Sequence, residues 1–149
     1  MKTVSRQLYL GDWISSDGSN KENISRRISK CQGIIRDILH ILNGTCFGEF
    51  YFETMITLRK TMFVSVLTNN CETWYNLKTK DLQNLESVDA QLIRQGLMTS
   101  SKTSICLMML DLGLLPIRYI LIIKRLMYFH HLITLTDNSL ATQVLLKQM

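Results

Sequence analysis

Glu86 and Asp89 stand three residues apart in a stretch that reads as helix, so both carboxylates would project from one side of it and could hold a divalent cation or share acid and base roles. The sequence brings no third ligand to them, and a pair of exposed helix carboxylates is the plainer reading. His130 and His131 are adjacent, about 100° apart on a helix, and cannot chelate one ion as an i, i+4 pair does. His40 has no partner that the sequence identifies. Cys31, Cys46, Cys71 and Cys106 are separated by 15, 25 and 35 residues, without the close pairs of a zinc ribbon or knuckle, and read as buried thiols. No Ser/His/Asp or Cys/His constellation and no glycine-rich phosphate loop occurs, which leaves hydrolase, kinase and dehydrogenase chemistry without support. The remaining chemistry is cationic. Lys21, Arg26, Arg27, Lys30 and Arg36 are opposed, up to Arg36, by Glu22 alone. Such a cluster could track phosphates, each neutralised phosphate releasing condensed counterions, or it could be the solvated side of a helix.

A helix has to carry those cations. After a capping residue at Ser19 or Asn20, apolar side chains recur at Ile24, Ile28, Cys31, Ile35, Ile38 and Leu42 in three- and four-residue steps. At about 100° per residue they fill an arc of roughly 80°, and the five cations spread over the rest. This helix is expected to end near Asn43-Gly44, where Asn43 to Gly48 forms the best internal break of the chain. A second helix is expected from Phe50 to about Asn69. It is apolar on more than one face, as a helix flanked on two sides is. Trp74 and Tyr75 follow; with nothing basic beside them before Lys78, they suit core packing better than stacking on bases. A third helix is expected after Thr79, read as a capping hydroxyl, with Leu82, Leu85, Val88, Leu92 and Ile93 inward and Gly96 at its end.

Ile105 to Leu110 gives a short helix, and Pro116 opens a long one reaching about Leu135. This is the most apolar part of the chain. Asp111, Gly113, Pro116, Arg118, Lys124 and Arg125 interrupt it before any run approaches the ~20 residues that cross a bilayer, so a buried helix is expected. Arg118 and Arg125 share one side of it, as a second phosphate contact or simply a wet flank.

At the other end, Tyr9-Leu10-Gly11-Asp12-Trp13-Ile14-Ser15 reads as a short strand with a glycine inside it, closed by the turn residues Ser16-Asp17-Gly18-Ser19. Met1 to Arg6 lacks the apolar core of a signal peptide, which points to an intracellular chain, cytoplasmic or nuclear. The 149 residues, 46% hydrophobic with one proline, suit a single domain with no firm boundary: a strand and turn over 1–18 and a helical body over 19–149. The net charge of +5 suits a polyanionic partner.

The ordered series Tyr9-Leu10-Gly11 with Ile14-Ser15, Arg27-Ile28 with Lys30, Glu72-x-Trp74-Tyr75, Leu82-x-x-Leu85-Glu86-x-x-Asp89 and Leu112-Gly113-Leu114-Leu115-Pro116 resembles the primer-grip and thumb region of reverse transcriptases of the non-LTR retrotransposon (LINE) type. It covers nearly the whole chain. The resemblance implies that Tyr9, Leu10 and Gly11 occupy the primer-contacting positions, that the basic helix begins the thumb, and that the partner is an RNA/DNA template-primer duplex. The family's catalytic turn, Phe/Tyr-Ala-Asp-Asp, binds two metal ions about 4 Å apart. No two acidic residues are adjacent anywhere in these 149 positions, and only eight residues precede Tyr9. Fingers and palm are therefore expected to be missing, leaving no enzyme activity and no cofactor, with Mg²⁺ belonging only to a full-length parent polymerase.

The expected fold is mainly α: a thumb-like bundle of about five helices behind a short N-terminal strand or hairpin remnant. The expected function is that of a thumb fragment that grips template-primer without the catalytic palm. The alternatives are a helical protein–protein interaction module that self-associates through the apolar Ile105 to Ile133 region, and a relic with no selected function.

Overall fold

The computed structural model describes residues 6–9, 12–15, 20–45, 48–74 and 77–134. Over these residues the fold is mainly α, as expected. Strands β1 (Arg6–Tyr9) and β2 (Asp12–Ser15) pair antiparallel, with Arg6 opposite Ser15 and Tyr9 opposite Asp12. The single strand expected from Tyr9 to Ser15 is thus two strands. Leu10 and Gly11 stand between them, outside the described residues, as do Ser16 to Ser19. Pairing within the hairpin satisfies backbone groups that a lone strand would leave open. β2 lies against the first helix.

Helix α1 (Lys21–Asn43) starts at Asn20, whose carbonyl accepts the Ile24 N–H at 3.0 Å. Ile24, Cys31, Ile35, Ile38 and Leu42 are buried along it, the arc that the periodicity gives. A second helical stretch is built from α2 (Glu49–Leu58), a π-helical segment (Arg59–Val64) and α3 (Ser65–Leu67). Thr54, Thr61, Ser65 and Thr68 each donate a hydroxyl to the carbonyl four residues earlier, a competition with the backbone ladder that bends helices. This stretch packs on α1 and also on α4 (Thr79–Gly96), where Tyr51 donates to the Gly96 carbonyl at 2.5 Å. α1 and α4 in turn pack on each other, so the core lies between these three bodies, with Trp74, Phe63, Met55, Leu85 and Leu92 fully enclosed.

Thr79 is the first helical residue of α4 and caps nothing with its hydroxyl; the carbonyl of Lys78 opens the helix. Gly96 does not reverse the chain at the other end. That conformation falls on Met98, at φ 52°, and the Thr99 N–H closes the turn on the Arg94 carbonyl at 3.0 Å. Gly96 serves proximity instead: a Cβ there would stand 2.9 Å from the Met55 sulfur. Helix α5 (Ile105–Asp111) ends in Gly113, at φ 62°, where the Leu114 N–H reaches the Met109 carbonyl at 2.7 Å. α6 (Ile117–Thr134) then runs beside α4 and the 3₁₀ turn Cys71–Thr73. Only Ile117 and Leu121 of α6 are buried, so the helix expected to be enclosed is covered along one side and open along the other. No helix among the described residues is long and apolar enough to cross a membrane.

Candidate nucleic-acid interface

α1 separates its two faces by wheel position. Arg26, Lys30 and Arg36 are exposed on the side turned from the core, and Lys21, at the margin of the apolar arc opposite Arg27, is exposed as the first residue of the helix. Arg27, expected among them, is 7% exposed. Its direction lies about 20° from that of Ile38, at the margin of the apolar arc, which draws its stem under the neighbouring helix. Asp37, also exposed, shares the outer side and partly offsets the four exposed cations.

Lys30 and Arg27 enter an open groove of about 530 Å³ between α1 and α3, whose remaining walls are Gly33, Ile34, Asp37, Ser65, Val66 and Asn69. Ser65 and Asn69 were not singled out in the sequence, although their four-residue spacing places both on one face of the second helical stretch. The Lys30 ammonium and the Asn69 amide can donate to sugar and phosphate oxygens without reading sequence, while the Ser65 hydroxyl is given to the Thr61 carbonyl and Asp37 adds a carboxylate to the same groove. Tyr9 lies in β1; Leu10 and Gly11, the other primer-grip-like positions, fall outside the described residues.

The other candidate chemistry is tied up internally. Glu86 and Asp89 do not form a site together, because each is held by a different arginine. Arg59 donates from Nε and Nη2 to the two carboxylate oxygens of Asp89 at 2.8 and 2.7 Å, and from Nη2 to the Leu115 carbonyl at 3.1 Å. Asp89 is fully buried, contrary to the exposed carboxylate expected there. Burial pushes its carboxyl up from the ordinary range, and the Arg59 fork opposes that rise. Glu86 receives both Nε and Nη2 of Arg118, the latter at 2.9 Å. Arg118 is therefore a structural partner of α4 before it is a phosphate ligand. Lys124 and Arg125 turn to the carbonyls of Thr68 and Cys71, at 3.5 and 3.3 Å. Trp74 is core, as expected, and Tyr75 lies outside the described residues.

Cys31 and Cys71 are buried thiols, whereas Cys106 is exposed and departs from that expectation; Cys46 lies outside the described residues. No group of three or more His, Cys, Asp or Glu side chains among the described residues could hold a metal ion. Comparison with family models, with curated proteins and with solved structures found no match.

Proposed function

We propose that this chain is a template-primer-gripping segment of a non-LTR retroelement reverse transcriptase, the thumb without the catalytic palm, and that its activity is to bind an RNA/DNA duplex. The observation that carries the reading is the order in space of a hairpin, then a helix that exposes Lys21, Arg26, Lys30 and Arg36, with the hairpin lying against that helix. Phosphates of a duplex attract such a face through counterion release, and the groove beside Lys30 offers polar groups to sugar and phosphate oxygens. The reading assigns the chain no catalysis of its own: the paired aspartates that would hold two metal ions are not in its sequence.

Fluorescence anisotropy with a labelled RNA/DNA primer-template, titrated with the full chain across a salt series, tests this. The expected result is a linear fall of log affinity with log salt. Changing Lys21, Arg26, Lys30 and Arg36 together to Gln should lower the slope by about 0.9 for each phosphate that the variant no longer neutralises. All four side chains are exposed, and circular dichroism of the variant checks that the fold survives. Unchanged affinity at low salt in this variant would end the proposal.

A further inference from the structure

Lys30, Asp37 and Asn69 surround the groove between α1 and α3, and among the described residues none of the three side chains makes a hydrogen bond or an ion pair. Lys30 and Asp37 are seven residues apart and about 20° apart on the wheel, so they stand on one line along α1, separated by a rise of about 10 Å. The second helical stretch returns antiparallel to α1, because the connection from Asn43 to Glu49 is short and the stretch touches α1 from α2 through to α3. With the Cys31 thiol 3.9 Å from the Phe63 carbonyl, the residues that follow Phe63 lie toward the start of α1. Asn69 therefore belongs to the Lys30 end of the groove, and Asp37 marks the opposite end. Between them Gly33 leaves the floor bare, a Cβ there having nothing within 4 Å, and the partly buried Ile34 and Val66 form apolar sides.

A ligand that fits this order carries an anion at one end, a flat body over Gly33 and hydrogen-bond donors at the other end. A nucleotide has that order and that reach, and the carboxylate selects its base. A carboxylate only accepts hydrogen bonds. Guanine is the base with two adjacent donors on its Watson–Crick edge, N1–H and the N2 amino group, whereas adenine, cytosine and uracil each set an acceptor beside a single donor group. We propose that the groove holds one unpaired guanosine 5′-phosphate unit, its phosphate at Lys30 and Asn69, its base over Gly33 and its donor edge on Asp37. The volume of about 530 Å³ lies in the range of small-ligand clefts, about 300–1,000 Å³. The proposal rests on the reading of α1 as a nucleic-acid interface and adds base selection to it, since phosphate contacts alone read no sequence.

Fluorescence anisotropy of the full chain at low salt tests it, comparing a labelled RNA/DNA primer-template whose single-stranded template extension carries one guanine with the same molecule carrying adenine there. The expected affinity is about tenfold higher for guanine. Asp37→Asn, which exchanges an acceptor for a donor, and Gly33→Leu, which fills the floor of the groove, should each bring that ratio to about one, with circular dichroism showing that both variants fold. Competition with free GMP and AMP separates the sources of the ligand. Displacement by GMP about tenfold better than by AMP makes the mononucleotide sufficient, and weak displacement by both beside a guanine-preferring extension makes the strand the source; each upholds the guanine assignment. Equal affinity for the two extensions, or a guanine preference that both variants keep, would overturn the proposal and leave duplex binding standing. A chain that binds neither extension ends the duplex reading and this proposal with it.

Discussion

Cys31 and Cys71 stand in the core without any exposure, and the cost of placing a thiolate there governs their chemistry. Burial pushes the Cys31 thiol up to about 12 against the pull of Arg27, and the Cys71 thiol, through burial and Glu72, up to about 11. An unfolded chain releases these protons near the ordinary value of 9.0, so below it the two states hold the same protons and folding is unaffected. Above it the unfolded state is favoured by about 1.4 kcal/mol per pH unit for each thiol, until the folded thiols also ionise. Urea midpoints should therefore fall between about pH 9 and pH 11, and Cys31→Val with Cys71→Ala should flatten that fall. An unaltered slope in the double variant would refute the assignment. At this scale the sequence was informative where wheel position alone decides exposure, as for Arg26, Lys30 and Arg36. It was silent where a partner distant in sequence decides: nothing beside Asp89 announces Arg59, 30 residues earlier. Arg27 failed for a third reason, its place on the border between the two arcs.

Two helical glycines show what element packing adds to local propensity. A Cβ on Gly33 would have nothing within 4 Å, whereas a Cβ on Gly96 would stand 2.9 Å from the Met55 sulfur. Gly33→Ala should stabilise the protein by about 0.5–1 kcal/mol, since alanine loses less conformational freedom in a helix. Gly96→Ala should destabilise it by about 1–3 kcal/mol, because Met55 is fully buried and has to leave its rotamer. Chemical denaturation of both variants measures the difference, and equal shifts would mean that the α2–α4 approach is looser than described. Both glycines look alike to a sequence reader; Gly96 was read as the end of its helix, where α4 does end, but nothing in the sequence announces Met55 against it. The helices themselves were legible because their apolar periodicity is long: α1, the α2–α3 stretch, α4, α5 and α6 fall within a few residues of expectation. The hairpin was less so, since Arg6 to Tyr9 has no apolar alternation strong enough to announce a strand. The exposure of α6 was legible only as an alternative, the self-association region Ile105 to Ile133, because an apolar helix reads as buried whether its cover is its own chain or another.

Across the whole molecule, the Arg59–Asp89–Leu115 junction ties the π-helical segment, α4 and the approach to α6 through one guanidinium. Removing one member strands the other, so Asp89→Ala should cost about 3–5 kcal/mol, a large share of the ~5–15 kcal/mol that holds a domain of this size. Replacing both, as Arg59→Met with Asp89→Leu, should restore most of that stability, since an apolar pair carries no desolvation cost. Urea denaturation of the single and double variants supplies the cycle, and additive effects would show that the two residues act independently. The same junction orders events in time. Its three members lie 30 and 56 residues apart, and the fork is complete only once the π-helical segment, α4 and the approach to α6 have all docked. An interaction absent from the folding transition state leaves the folding rate alone when it is removed and appears almost wholly as faster unfolding. Arg59 is then expected to act as a latch on the finished bundle: Asp89→Ala should speed unfolding and leave the folding rate unchanged, which stopped-flow kinetics would check.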